Sequence, residues 1–369
     1  MILSGILTEQ LPLPKQAVFW IKRVRRPLYP VGYPYFLGVV FAVFGTTLRT
    51  AVLLNALLSL AGAALVYVLA MALFNRKIAT AAALVMLIAP IQYIYSQQVF
   101  SEHLFTVLLL LALLSFWIVV RRHVLFALLS GLLIALACLT RGQGLVLLVW
   151  FPLAVLMLTG KWRTTFAATS LMLLGWLMVM APWWVRNYYT FNRFVLISNN
   201  GGKNLCVGNI DTRYARPNFD YKINYELTGN EAQRDYIMKT AAFEYIRRHP
   251  GKFIADAPLK IFRLYAADAS LSFRESVIST YGLIVGLVVL GFAQLLWIAL
   301  AVASLIGLAK TRFQHRFNSH NVLYLLLILW ALFHTIFFGG ARFNFPMFPI
   351  VALTATAIIY RSRPLPVSG

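Results

Sequence analysis

The stretch "FSEHLFTVLLLLALLSFWIVV" (residues 100–120) places a glutamate and a histidine at the start of a long apolar run. The apolar part has the length that an α-helix needs to cross a bilayer, about 20 residues. Hydrophobic residues make up 60% of the 369 residues and charged residues only 12%, which is more apolar surface than a soluble core could bury. The sequence therefore predicts a polytopic membrane protein.

Apolar runs of this kind recur along the whole chain. They cover 50–74, 78–90, 102–120, 124–139, 144–159, 166–184, 281–309, 321–338 and 345–360. They predict an all-α transmembrane helical bundle with about nine crossings. A further run at 32–45 fits either a short span or a helix that lies in the membrane interface.

These runs divide the chain into five predicted parts. Residues 1–49 form an N-terminal segment, 50–185 the first part of the bundle, 186–275 an extracytoplasmic loop region, 276–363 the second part of the bundle, and 364–369 a cytoplasmic tail.

The charges in the short loops predict the orientation of the bundle. The chain has 33 Lys and Arg against 11 Asp and Glu, a net charge of +22, and cytoplasmic loops are the ones enriched in Lys and Arg. The side with most of these residues carries Arg76, Lys77, Arg121, Arg122, Lys161, Arg163, Lys310, Arg312, Arg316, Arg361 and Arg363. The other side, predicted to be extracytoplasmic, has only Arg141 and Arg342 in its short loops, together with Glu102 and the long polar segment. Because much of the basic excess lies between spans, it argues against nucleic acid as a partner.

The polar segment contains one clear helical pattern, "NEAQRDYIMKTAAFEYIRRHPG" (residues 230–251). Asn230 is a favourable N-cap, acids at 231 and 235 suit the first turns, and Pro250 with Gly251 is expected to end the helix. We expect this amphipathic helix to pack on the membrane face.

Glu102, Arg141 and Arg342 can each be explained without any function. Ser101 can cap the helix that Glu102 begins, and each arginine can lie at a helix end or extend to the membrane interface. Two observations favour a functional interpretation. Ionisable groups at membrane depth are costly, and both arginines lie on the side that the charge rule disfavours. Arginines kept there require an anionic partner.

Other common chemistries have little support in the sequence. His103 and His334 have no His, Asp or Glu at the spacing of helical metal ligands, so the spacing predicts no metal site, and the participation of a divalent metal stays open. Cys138 and Cys206 predict no disulfide framework. There is no Walker loop, GxSxG motif or CxxC pair.

Six stretches, taken together in order and spacing, resemble the GT-C glycosyltransferases, in the bacterial branch related to protein O-mannosyltransferases and aminoarabinose transferases. The resemblance runs from about Arg26 to about Tyr360. The stretches are "RPLYPVGYPYFLGVVFAVFG", "YSQQVFSEHLFTVLLLLALL", "ALACLTRGQGLVLL", "APWWVRNYYTFNRFVLISNNGGKNLCVGN", "AAFEYIRRHPGKF" and "GGARFNFPMFPIVAL".

The resemblance implies transfer of a sugar from a polyprenyl-phosphate donor to a hydroxyl of a lipid, glycan or protein, on the extracytoplasmic side of the bacterial inner membrane. Such a transfer needs a carboxylate near the acceptor proton and cations near the departing phosphate. On this basis Glu102 and Glu9 are the candidate catalytic carboxylates. Arg342, Arg141 and Arg26 are the candidate donor-phosphate ligands, because arginine binds phosphate oxygens bidentately. The candidate substrate-binding residues are His103, Gln143, Arg186, Asn187, Asn199, Asn200, Asn209 and Tyr33.

The beginning of the chain departs from the family pattern. Family members usually begin with a transmembrane helix and a loop that carries an aspartate, the expected catalytic base, before the stretch matching "RPLYPVGYP". Here no such helix is present, and Glu9 is the only acid before residue 50. The alternatives are a truncated start, substitution by Glu9 or Glu102, or an inactive protein. The basic stretch "KQAVFWIKRVRRP" adds a conflict, because the charge rule favours the cytoplasm for it and the family pattern the outside.

Two competing functions follow. A catalytically inactive homologue acting as a scaffold would explain the missing aspartate. A lipid-linked sugar translocator would need a polar path through both leaflets, whereas the middles of these spans are almost wholly apolar.

Overall fold

A computed structural model describes residues 29–210, 230–266, 277–278, 282–310 and 318–360. Two of the predicted site residues, Glu9 and Arg26, lie outside these ranges. The described residues form α-helices, two 3-10 helices and loops, with no strand among them. The α-helices are α1 (Gly32–Phe44), α2 (Leu48–Leu73), α3 (Arg76–Ile88), α4 (Pro90–Ser96), α5 (Glu102–Arg121), α6 (Phe126–Thr140), α7 (Val146–Thr159), α8 (Trp162–Phe191), α9 (Gly201–Asn209), α10 (Glu231–Arg248), α11 (Pro250–Tyr265), α12 (Leu283–Lys310), α13 (Ser319–Ile336) and α14 (Phe348–Ile359).

The predicted all-α membrane bundle is confirmed. Six helical stretches of the described chain are long and apolar enough to cross a membrane, or seven if α3 and α4, bent by 49°, count as one span. The stretches are Leu48–Leu73, Glu102–Arg121, Gly142–Thr159, Trp162–Phe191, Leu283–Lys310 and Ala341–Ile359. The predicted runs at 124–139 and 321–338 form α6 and α13, which are shorter than the typical span. The count of about nine therefore depends on including these two short helices and the bent pair.

Large apolar side chains on the outside of the bundle fit a lipid environment. On α12, Ile284 is 78% exposed and Leu295 is 68% exposed. A soluble monomer rarely leaves a contiguous apolar surface of this kind in water. Together with the long apolar helices, this surface indicates an integral membrane protein.

Glycines bring α6 and α8 into backbone contact. A Cβ atom at Gly131 would overlap the carbonyl of Met172, and one at Gly175 would overlap the carbonyl of Leu128. Small residues at such positions let membrane helices pack closely through van der Waals contacts. The contact fixes α6 against the longest described helix, and Arg141 follows directly at the end of α6.

An aromatic core ties α5 to the later spans. The Phe116 ring of α5 lies 4.6 Å from the Trp150 ring of α7, and Trp150 Nε1 donates to the carbonyl of Val322 on α13 at 2.9 Å. A buried indole usually finds such a hydrogen-bond partner, which makes the contact directional as well as apolar. The helix that begins with Glu102 therefore has a fixed position in the bundle.

Helices α9, α10 and α11 follow the long span α8, which continues to Phe191 and so passes the predicted domain boundary at 185. The amphipathic helix predicted after Asn230 is confirmed as α10, where Asn230 and Gln233 form a capping box. The expected role of Pro250 was only half right. α10 ends at Arg248, but Pro250 also begins α11, because proline is well tolerated in the first turn of a helix.

Candidate active site

Glu102, Arg141 and Arg342 meet at one point, and we call them the ion-pair cluster. Glu102 is the first residue of α5, Arg141 follows α6, and Arg342 belongs to the second 3-10 helix, Ala341–Met347. Glu102 Oε1 accepts from Arg141 Nη1 at 2.8 Å and also from Arg342 Nε. Arg342 is 240 residues away from Glu102 in sequence, so the cluster joins the first and second parts of the bundle.

Arg141 is held in place by three groups. Besides Glu102, its Nη1 donates to Ser101 Oγ at 3.1 Å and its Nε donates to Gln143 Oε1 at 3.2 Å. The prediction that Ser101 caps α5 was wrong in one respect. Ser101 occupies the N-cap position, but its side chain makes no capping hydrogen bond and bonds to Arg141.

The backbone on either side of Arg141 explains how a helix-end arginine turns inward. Arg141 is extended, with φ −152° and ψ 137°, between α6 and the first 3-10 helix, Gly142–Leu145. Gly144 then returns close to α6, where an added Cβ would lie 2.7 Å from the backbone nitrogen of Cys138. Only glycine fits this approach without a shift of the backbone.

Arg342 lies nearer the surface than Arg141. Its side chain is 39% exposed, against 9% for Arg141 and 0% for Glu102. The Arg342 guanidinium lies 3.5 Å from the centroid of the Phe100 ring, a cation–π contact. Arg342 is therefore the member of the cluster that a ligand would meet first.

The cluster carries one negative and two positive charges. Removing one member of a buried pair leaves an uncompensated charge and costs several kcal/mol, so the three side chains depend on one another. Within the described part of the chain, Glu102 Oε2 has no hydrogen-bond partner although it is fully buried. Buried carboxylate oxygens are normally paired, so this atom is suited to a hydroxyl or a water molecule.

Aromatic rings, including those of His103 and Tyr95, lie beside the cluster. The His103 ring lies 4.9 Å from the Phe345 ring, and its Nε2 lies 3.2 Å from the carbonyl oxygen of Gln92. Phe345 also stacks on Tyr95 at 4.7 Å. Phe345 thus contacts both Tyr95 and His103, the neighbour of Glu102.

The other predicted substrate-binding residues lie in separate places. Tyr33 is fully buried, and its hydroxyl donates to Asn55 Oδ1 at 3.1 Å. Asn187 is fully buried and accepts from Arg186 Nη1 at 3.0 Å, while Asn200 accepts from the Ser198 hydroxyl at 2.8 Å. Asn199 is buried, and among the described residues its Nδ2 has no hydrogen-bond partner. Among the described candidates, Gln143 and His103 border the ion-pair cluster, and Tyr33 lies within electrostatic range of Glu102.

Asn209 belongs to a second buried polar group, which we call the lysine cluster: Lys260, Asn209 and the backbone carbonyls of Thr335 and Ile336. Lys260 Nζ donates to Asn209 Oδ1 and to the Thr335 carbonyl, both at 2.8 Å. Asn209 Nδ2 donates to the Ile336 carbonyl at 2.9 Å. The cluster therefore joins α9 and α11 to the end of α13.

The Lys260 ammonium is buried and forms no ion pair among the described residues, although the Asp256 carboxylate lies one turn earlier on α11. Burial lowers the pKa of Lys260 to about 8. Sequence reasoning missed this residue. Its signal was helical periodicity, because Phe253, Ala257, Lys260 and Leu264 share one face of α11 and the others are apolar.

Part of the chain matches a known protein family. Residues 29–185, which is under half of the chain, match the family model described as dolichyl-phosphate-mannose-protein mannosyltransferase. The matched part includes Glu102 and Arg141 and ends before Arg342. No match to a curated protein or to a solved structure was found. The family match confirms the predicted GT-C resemblance over residues 29–185.

Proposed function

We propose that this membrane glycosyltransferase of the GT-C type transfers a sugar from a polyprenyl-phosphate donor to a hydroxyl group of a lipid, glycan or protein, on the extracytoplasmic side of a bacterial inner membrane. The observation that carries the proposal is the meeting of Glu102, Arg141 and Arg342 on one carboxylate oxygen. The description of the matched family names a lipid-linked mannose and a protein, which supports this donor class and one of these acceptors.

The arginines would serve the donor phosphate. In the transfer, the acceptor oxygen forms a bond to the anomeric carbon and loses its proton, and the bond from that carbon to the phosphate oxygen breaks. Negative charge grows on the departing phosphate, which takes up the released proton. A guanidinium group stabilises that charge through two parallel hydrogen bonds. Arg342, partly exposed, would contact the phosphate, and buried Arg141 would supply the second positive charge.

Glu102 would have two tasks, one for each carboxylate oxygen. Its Oε1 orients both arginines, which otherwise would repel each other. Its Oε2, unpaired among the described residues, would accept a hydrogen bond from the acceptor hydroxyl and orient it for attack. In this scheme, the negative charge of the leaving phosphate develops beside two guanidinium groups that are already in position.

A transfer assay with purified protein tests this proposal. The wild type and Arg342→Ala would be supplied with short-chain polyprenyl-phosphate mannose and with membrane glycolipids, and the released polyprenyl phosphate would be measured by mass spectrometry. Loss of one transition-state cation is expected to lower transfer about 100-fold. Arg342→Lys should retain part of the activity, because a charge remains while the bidentate geometry is lost.

Arg247→Ala is the matched control, since Arg247 is an exposed arginine on α10 outside both clusters. It should transfer at the wild-type rate. Transfer by Arg342→Ala that equals the wild type would refute the phosphate role, and absence of transfer from every polyprenyl-phosphate sugar supplied to the wild type would refute the proposed reaction.

The sidedness of the site has a separate test. Arg247→Cys and Arg122→Cys place single exposed thiols at the two predicted faces, while Cys138 and Cys206 are buried. A membrane-impermeant maleimide added to intact spheroplasts should label Arg247→Cys and leave Arg122→Cys unlabelled until the cells are opened. The reverse labelling pattern would put the site on the cytoplasmic side.

A further inference from the structure

A cleft borders Phe345, whose ring also contacts His103 beside Glu102. It is lined chiefly by Tyr95, Gln294, Trp297, Asn344, Phe345 and Phe348, and it contains about 430 Å³ of atom-free space, part of it open to the outside. α4, α12 and the second 3-10 helix form its walls. The same 3-10 helix thus carries Arg342 toward Glu102 and Asn344 toward the cleft.

Asn344 is the unusual member of this lining. It is only 3% exposed, and neither Oδ1 nor Nδ2 of its amide has a hydrogen-bond partner among the described residues. Leaving a buried polar group without a partner costs about 1–3 kcal/mol. An apolar residue would avoid that cost, so the amide is suited to a group that enters the cleft.

The Oδ1 and Nδ2 atoms of Asn344 restrict which chemical groups could bind in the cleft. The Asn344 amide offers both donors and an acceptor, so a group that both donates and accepts satisfies it. A hydroxyl or a secondary amide does so, whereas a phosphate or an ester carbonyl would only accept and would leave Oδ1 unpaired. The rings of Tyr95, Trp297, Phe345 and Phe348 provide the apolar surface against which the face of a pyranose can pack.

We propose that this cleft binds the neutral pyranose of a substrate, and that Asn344 is the specificity-determining residue that hydrogen-bonds one of its hydroxyl or N-acetyl groups. The proposal rests on the proposed function, because the 3-10 helix that lines the cleft also carries Arg342, the proposed phosphate ligand. Asn344 is two residues after Arg342, and Phe345 joins the cleft to His103 and so to the neighbourhood of Glu102.

The test measures binding without any transfer step. The protein in lipid nanodiscs free of glycolipid would be titrated by microscale thermophoresis with octyl mannoside, octyl glucoside, octyl N-acetylglucosaminide, and octanol as the chain alone. The wild type is expected to bind at least one octyl glycoside more tightly than octanol. Asn344→Leu should weaken that binding about tenfold and leave octanol binding unchanged, because one neutral hydrogen-bonding partner is lost.

Controls separate a local role from a structural one. Thr354→Val also removes a buried polar group, on α14 and outside the cleft, and should bind the glycosides as the wild type does. Asn344→Gln keeps the amide and should retain part of the preference for the glycoside.

Three outcomes would overturn the proposal. The first is equal binding of every glycoside by the wild type and Asn344→Leu. The second is a parallel loss of glycoside and octanol binding in Asn344→Leu, which would indicate a structural role. The third is a wild type that binds octanol as tightly as any glycoside, which would indicate a groove for an apolar chain. Glycoside binding that depends on Asn344 in a protein without transfer activity would preserve the cleft assignment and refute the proposed function alone.

Discussion

The ion-pair cluster and the lysine cluster are both polar groups that are largely buried and contain cations, yet they differ in how many of their polar atoms have a hydrogen-bond partner. In the lysine cluster, Lys260 and Asn209 bond to each other and to backbone carbonyls. In the ion-pair cluster, two arginines share one oxygen of Glu102, and among the described residues the second oxygen has no partner. A closed network indicates a structural role, whereas surplus positive charge beside an unpaired oxygen indicates a place for a ligand.

The largest effect that separates the clusters is expected from Glu102→Ala. This change leaves Arg141 buried without its counter-ion, which should lower the free energy of unfolding by about 3–5 kcal/mol. Unfolding by sodium dodecyl sulfate titration in mixed micelles would measure the loss. The double variant Glu102→Leu with Arg141→Met removes both charges and should lower the free energy of unfolding by less. A loss of under about 1 kcal/mol for Glu102→Ala would contradict the buried ion pair.

A smaller effect is expected from Lys260→Met, which keeps the side-chain length and removes the ammonium. The Asn209 and Thr335 oxygens lose a donor, but the cost of burying a charge also disappears, so the net loss in unfolding free energy should be about 1 kcal/mol. Transfer activity should stay close to that of the wild type. A loss of transfer as deep as that of Arg342→Ala, in a folded protein, would show that the lysine cluster is part of the active site.

The most specific effect is the part of the pH dependence of stability that Lys260 contributes, which the comparison with Lys260→Met isolates. The pKa of Lys260 is lowered from its ordinary value of 10.5 to about 8 by burial, so between these pH values the unfolded chain holds a proton that the folded chain has released. Stability then rises with pH across this window, because the unfolded state binds more protons. The difference in unfolding free energy between the wild type and Lys260→Met should therefore grow from pH 8 to 10.5. A constant difference across this range would mean that Lys260 titrates normally.

Much of the bundle and of the ion-pair cluster follows from local features of the sequence. Length and apolarity identify α2, α5, α8 and α12, because a bilayer imposes both. The scarcity of acids, together with arginines predicted on the side of the membrane that the charge rule disfavours, indicated that Glu102, Arg141 and Arg342 lie near one another. Both signals can be read from the sequence, because the bilayer restricts where apolar and charged residues can lie.

What the sequence did not provide depends on contacts between distant helices. Ser101 has the pattern of an N-cap, but its hydroxyl bonds to Arg141, which competes for it from another helix. Asn209 was a candidate for sugar binding, yet its amide is occupied by Lys260 from α11. Asn344 is one amide in an apolar stretch, and its lack of a partner becomes visible only when α4 and α12 are packed around it.

The sequence distance between Glu102 and Arg342 has a consequence for biogenesis. While the ribosome is still synthesising the second half of the chain, α5 and α6 can already insert, and Glu102 can pair with Arg141 alone. Arg342 is synthesised 240 residues after Glu102, so the cluster is completed only when the second 3-10 helix has formed. A chain terminated before Arg342 would enter the membrane with Glu102 and Arg141 alone, so the complete cluster forms only in chains translated beyond this residue.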